Sequence, residues 1–188
     1  MNNLKLNYLY VLYMKNDLHY KKKDEYYTPK LLVEPILKYL NKKWIIWCPF
    51  DTENSEFVLT LKENGFNVIY SHINTGQDFF NYTPDKFDAI ISNPPFSRKL
   101  EILERLYELD KPFAMILGLP ILNYQVIGNF FIDKNLELLI VDKKVSFDGK
   151  TSSFNNSYFC NKLLPKGIIF VNLPHNNSNK NYVKSRMT

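Results

Sequence analysis

The chain has 188 residues, enough for one domain with a core of its own. Apolar residues make up 45% and charged residues 23%, a balance that excludes wholesale disorder. A formal charge of +5 permits an anionic partner such as nucleic acid without requiring one, and two cysteines without CxxC spacing exclude a disulfide scaffold and a cysteine-based zinc site.

The first residues are rich in tyrosine, and their apolar stretch LNYLYVLYM is too short to span a membrane. No small-residue cleavage signal follows it, so the expected compartment is intracellular and reducing. The run Lys21-Lys22-Lys23 reads as an exposed turn. His19, His72 and His175 are too dispersed for a metal cluster, and no metal is expected. From residue 29 the pattern alternates. PKLLVEPILKYL has helical spacing, with Thr28 as N-cap and Pro29 at the first helical position. WIIWCPF is a short apolar run suited to a buried strand. ENSEFVLTLKEN is an amphipathic helix, and Gly65 stands just past its end. NVIYSH and FDAIIS read as strands, and SRKLEILERLYEL as a helix capped by Ser97.

KPFAMILGLPIL, LELLIVDKKVSF and KGIIFVNLP give three further strands, with no clear helix between the last two. Strands interleaved with helices predict an α/β fold, a doubly wound, mostly parallel sheet with an antiparallel hairpin at its edge. The expected domain covers residues 24–174, after an N-terminal segment of residues 1–23 and before a loose polar tail of residues 175–188.

The chemistry concentrates in DAIISNPPFS, residues 88–97, where an apolar strand ends in Asn93-Pro94-Pro95-Phe96. In an open α/β sheet, ligands sit beyond the carboxyl ends of the strands, where this tetrapeptide is placed. The prolines stiffen the backbone and fix the direction of nearby carbonyls. The Asn93 oxygen and a neighbouring main-chain carbonyl then accept both hydrogens of one planar amino group, and Phe96 offers a face for a flat ring. Accepting those hydrogens favours the pyramidal nitrogen of a transition state in which positive charge grows there.

The stretch resembles motif IV of the Rossmann-like amino-methyltransferases that use S-adenosylmethionine (SAM). It is similar above all to DNA N6-adenine methyltransferases, phage-type ones included. The resemblance implies a class I methyltransferase-like fold, SAM as cofactor, and Asn93, Pro94, Pro95 and Phe96 as catalytic residues. It also implies a nucleic-acid substrate, DNA before RNA, and a cytoplasmic setting, with phage genes in a bacterial host among the sources.

Further segments agree with that family. DEYYTP resembles the segment bordering the methionine end of SAM, which assigns Tyr27, Thr28 and Pro29 to the cofactor. TGQDFF resembles the segment that binds the SAM adenine, which assigns Asp78 and Phe79. DGKTSSFNNSYFC resembles the loop near the target base, which assigns Lys150, Ser152, Ser153, Phe154 and Asn156 to substrate. In WCPFDTENSEF, the Pro49, Phe50, Ser55 and Phe57 positions match the family's glycine-rich motif I. Cys48, Pro49, Phe50, Asp51 and Asn54 are therefore the cofactor residues expected there.

Two departures stand out. Thr52 and Asn54 replace the motif I glycines, and Cys48 replaces its strand-end acid. Asn54 is expected in a left-handed conformation, with Asp51 or Glu53 supplying the carboxylate. NVIYSH also lacks the acid expected to bind ribose, leaving Ser71 or His72 for that contact. Two functions stay open: SAM-dependent methylation of the adenine N6 amino group, and a catalytically inactive binding protein on the same scaffold. The second reading is a phage-encoded inhibitor or accessory subunit with a protein partner. Methylation of a glutamine amide fits less well, since an intact motif I is missing.

Overall fold

The computed structural model describes residues 28–95, 97–145 and 155–174. Tyr27, Phe96, Lys150, Ser152, Ser153 and Phe154 lie outside the described residues, as do the N-terminal segment and the polar tail.

Seven strands form one sheet: β1 (Ile45–Cys48), β2 (Asn67–Tyr70), β3 (Ala89–Ser92), β4 (Phe113–Gly118), β5 (Glu137–Val141), β6 (Asn156–Asn161) and β7 (Ile168–Val171). Their order is β2-β1-β3-β4-β6-β5-β7. The neighbours from β2 to β4 pair in parallel, β6 runs antiparallel to both β4 and β5, and β7 runs parallel to β5. The α/β sheet is thus mostly parallel with an antiparallel pair, as its alternating pattern predicts.

The reversed strand lies elsewhere than expected. It is β6, inside the sheet, while β7 at the edge is parallel to its neighbour. The sequence of β6, NSYFCN, has only a short apolar centre between polar ends, so it reads as loop although it is buried throughout. The link from β6 to β7 crosses the start of β5, where the Glu137 carboxylate accepts from the Leu163 and Leu164 N–H groups at 3.0 and 2.7 Å. Those bonds satisfy backbone donors that a crossing loop leaves without a ladder.

Helices cover both faces: α1 (Lys30–Val33), α2 (Glu56–Glu63), α3 (Lys99–Glu108) and α4 (Gln125–Phe131). The first expected helix is α-helical only over α1 and continues as a 3-10 helix over Glu34–Tyr39. Pro35 lacks the N–H that would bond the preceding turn, and the chain tightens there. Helix α2 ends at Asn64, with Gly65 at φ +76° as its sequence suggests. Helix α3 departs from expectation, because Arg98 rather than Ser97 holds the N-cap position, at φ 59°. Helix α4 was not expected, since Gly128 and four aromatic or β-branched neighbours, Val126, Ile127, Phe130 and Phe131, weaken its helical signal.

Strand alternation splits the core into two layers. On one face Ile46, Cys48, Ile91, Ile116 and Tyr158 pack with Val33, Ile36, Phe57 and Leu61 from α1, its continuation and α2. On the other, Trp47, Ile90, Phe113, Met115 and Phe159 pack with Leu103 and Leu106 of α3 and Ile127 of α4. Among the described residues no helix is long and apolar enough to cross a membrane.

Candidate functional site

The carboxyl ends of β1, β2 and β3 open into a cleft of about 550 Å³. That volume is within the range of small-molecule sites. Its walls come from Thr28 before α1, from the turn after β1 (Pro49 to Thr52, with Ser55 and Glu56), and from the segment after β2 (His72 to Asn74, Asp78 to Phe80). Asn93, Pro95, Ser97 and Arg98 after β3 complete it.

The floor is a connected polar network. The Asp51 carboxylate, only 6% exposed, accepts a short hydrogen bond from Ser92 Oγ. The Asp51 N–H donates to the Ser71 carbonyl at 3.2 Å, and the Ser71 N–H to the Cys48 carbonyl at 3.1 Å. The Ser71 hydroxyl in turn accepts from Trp47 Nε1 at 2.9 Å. Burial pushes the Asp51 carboxyl up to about 7, against hydrogen bonds from Ser92 and Ser55 that favour its ionised form. Ser55 also accepts the Thr52 N–H at 2.9 Å and so closes the turn.

The turn itself corrects one expectation. Among the described residues the non-glycine residues with positive φ are Arg98, Asp110 and Lys162, so Asn54 is not left-handed. The β1–α2 turn therefore needs no glycine for its backbone, and Thr52 and Asn54 stand in it without that strain. Asn54 is exposed and is not among the residues lining the cleft. Cys48 also stays out of the cleft: it is fully buried in the core, and burial pushes its thiol well above the usual range. Three residues later a carboxylate does line the cleft, that of Asp51.

Ser71 is 1% exposed and committed to Trp47, so of the two residues offered for a ribose contact only His72 lines the cleft. His72 Nδ1 accepts from the Asn74 N–H at 3.1 Å, which makes Nε2 the donor nitrogen of the neutral ring. Asp78 lines the cleft, and its carboxylate also accepts the Phe80 N–H at 3.2 Å, within its own turn. Phe79 is 2% exposed, tilted against Phe50 at 4.9 Å and Trp47 at 5.5 Å. It braces the wall from behind more than it faces the cleft.

Thr28, Pro49, Phe50, Asp51, Asp78, Phe79, Asn93 and Pro95 thus meet around one space, whereas Pro94 is buried behind it. Pro29 leads into α1 beside Thr28. Asn156 is 3% exposed at the start of β6 and is not among the lining residues. Asn93 Oδ1 is buried with no hydrogen-bond partner among the described residues. Sequence reasoning passed over Ser55, Glu56, Phe80 and Arg98 as cleft residues. The signal for Arg98 is a basic residue three positions after the second proline of a stiff turn. Its guanidinium lies 3.7 Å over the Phe80 ring and pairs with Glu101.

Tyr158 links the two halves of the molecule. From β6 its hydroxyl donates to the Leu32 carbonyl at 2.6 Å, fixing α1 against the sheet and with it the Thr28–Pro29 entry to the cleft.

No protein-family model and no curated protein matches the chain. Among solved structures it is similar to the methyltransferase subunit of a type I restriction-modification system from Streptococcus thermophilus, with a TM-score of 0.53 and 13% identity. The match covers 80% of this chain and 48% of that one, so the chain spans about half the subunit's length. A candidate class I SAM-dependent methyltransferase from Listeria monocytogenes aligns at a TM-score of 0.49 and 14% identity, over 95% of this chain and 75% of that one. At such identity the first likeness is one of fold, and the chain has a class I methyltransferase-like α/β fold.

Proposed function

We propose that the protein transfers a methyl group from SAM to the N6 amino group of adenine in nucleic acid, DNA before RNA. The observation that carries this reading is the Asn93-Pro94-Pro95 turn at the carboxyl end of β3, with the Asn93 oxygen buried at the cleft and without a hydrogen-bond partner among the described residues. A buried acceptor without a donor costs about 1–3 kcal/mol, and an amino group supplies the missing hydrogen.

The residues present fit the cofactor. Asp51, Glu56 and Asp78 are carboxylates on the wall of a cleft whose volume of about 550 Å³ accommodates a nucleoside. They suit a ligand carrying an ammonium and a positive sulfur, and Phe50 and Phe80 offer rings for a flat base. When bound, SAM supplies a methyl group on a positively charged sulfur. Asn93 and the carbonyls held by Pro94 and Pro95 orient the amino nitrogen toward it and accept its hydrogens. Phe96, next in sequence, is assigned to stacking on the flipped base.

The rival reading, an inactive scaffold that holds a protein partner or nucleic acid, draws on one feature. The end of β2 offers His72 in place of a ribose carboxylate. Incubation with methyl-labelled SAM and mixed DNA and RNA separates the two. Transfer that is lost in Asn93→Ala supports the enzyme, and SAM that neither binds nor transfers overturns it.

A further inference from the structure

Among the described residues lining the cleft, Arg98 is the one lysine or arginine, whereas Asp51, Glu56 and Asp78 contribute carboxylates to the same wall. The chemistry set out above leaves Arg98 without a task. Its backbone stands at φ 59° and ψ 28°, a left-handed conformation that a residue with a Cβ adopts only at a cost. The surroundings hold it there. The guanidinium lies 3.7 Å over the Phe80 ring, and Nε donates to Glu101 Oε2 at 3.0 Å. Even so, the side chain is 45% exposed.

Glu101 supplies a second, separate observation. Both Arg98 donors reach its Oε2, while its Oε1 is buried with no hydrogen-bond partner among the described residues. One turn further along α3, Arg105 Nε is buried and equally without a partner there, although its Nη2 donates to Thr83 Oγ1 at 2.8 Å. Buried polar atoms of this kind are few in native proteins, and each calls for a reason. Glu101 and Arg105 are four residues apart on one helix face, with the glutamate first, which is the favourable order for an ion pair. The missing acceptor and the missing donor therefore satisfy each other if Glu101 turns from Arg98 to Arg105.

We propose that Arg98 binds a backbone phosphate of the nucleic-acid substrate at the mouth of the cleft, and that Glu101 passes from Arg98 to Arg105 as it does so. A phosphate makes the same charge-assisted hydrogen bonds to a guanidinium as a carboxylate, so it competes directly with Glu101. The exchange leaves no charge unpaired, because Arg98 gains the phosphate and Glu101 gains Arg105. A base held at Asn93 trails a sugar and phosphates out of a cleft that carries three carboxylates, and Arg98 is the group on its wall that attracts them. This rests on the reading of nucleic acid as substrate.

The test measures binding of a fluorescent single-stranded oligonucleotide by anisotropy over a salt series, for the native protein, Arg98→Gly and Glu101→Gln. Arg98→Gly should weaken binding roughly tenfold or more and reduce the salt slope by about 0.7, the share of one phosphate on a single strand. Glycine adopts φ 59° without strain, so the thermal midpoint of this variant should equal or exceed the native one, and the lost affinity is not lost fold. Glu101→Gln should tighten binding, since the carboxylate that competes for Arg98 is gone. A pair that only holds the fold together predicts that both variants weaken binding or that neither changes it, and either result overturns the proposal. SAM affinity by calorimetry should be the same in all three proteins. Its loss in Arg98→Gly would give the guanidinium to the SAM carboxylate and overturn the proposal, as would a native protein that does not bind the oligonucleotide. An oligonucleotide bound through Arg98 but never methylated on adenine would sustain the phosphate site and defeat the proposed function alone.

Discussion

Ser92 Oγ donates a buried hydrogen bond to the Asp51 carboxylate, tying the last residue of β3 to the turn after β1. Through the Asp51 N–H and the Ser71 carbonyl the same network reaches the end of β2. Asn93 follows Ser92 directly, so the bond that holds the turn after β1 is made one residue before Asn93.

The raised Asp51 carboxyl gives stability a definite pH dependence. The folded protein keeps the proton up to about 7, whereas the unfolded chain releases it near 3.8. Stabilisation by the bound proton is therefore complete below about pH 4 and is lost as pH rises through about 7, a span worth about 4 kcal/mol. Urea unfolding at pH 5 and pH 8 should show native stability falling with pH by more than that of Asp51→Asn. Parallel curves for the two proteins would contradict it.

Ser92→Ala removes a donor that favours the ionised Asp51 and leaves that carboxyl more costly to ionise. A loss of about 1–3 kcal/mol is expected at pH 8, by denaturant unfolding, with a smaller loss at pH 5 where the carboxyl is protonated. An equal loss at both pH values would place the effect outside this bond.

Tyr158→Phe leaves the buried Leu32 carbonyl without its hydroxyl donor. The expected cost is about 1–2 kcal/mol in unfolding free energy. Because Leu32 lies just past Thr28 and Pro29, SAM affinity by calorimetry should weaken as well. Loss of stability with unchanged SAM affinity would separate α1 from SAM binding at the cleft.

Glu137→Ala acts at the opposite end of the sheet. It strips the acceptor from the Leu163 and Leu164 N–H groups and should destabilise by about 2–4 kcal/mol. Far from the cleft, it should leave SAM affinity in the folded protein unchanged, and a matching loss of affinity would show the two sheet ends to be coupled.

Much of the fold was legible because buried parallel strands are continuous apolar runs. Ile45–Cys48, Ala89–Ser92 and Phe113–Gly118 carry that signal and are buried almost throughout. Strand β6 was not legible, since its burial depends on neighbours on both sides and its Asn and Ser ends read as loop. At the site, Asn93 and Pro95 announced themselves by residue type. Asp51 was visible only as a substitute for missing motif residues. Its partner Ser92 was hidden, because a serine closing an apolar strand says nothing about which carboxylate a separate turn brings beside it. The Arg98 conformation could not be read either, as nothing local to an arginine foretells φ 59°.

The central claim is methyl transfer to the adenine N6 amino group. It is tested most directly by incubating the protein with SAM and unmethylated DNA, digesting the DNA to nucleosides, and identifying the products by mass spectrometry. N6-methyladenine formed by the native protein and absent with Asn93→Ala is the predicted result. Methyl found on cytosine alone, or no methylated nucleoside from DNA or RNA while SAM is bound, would contradict it.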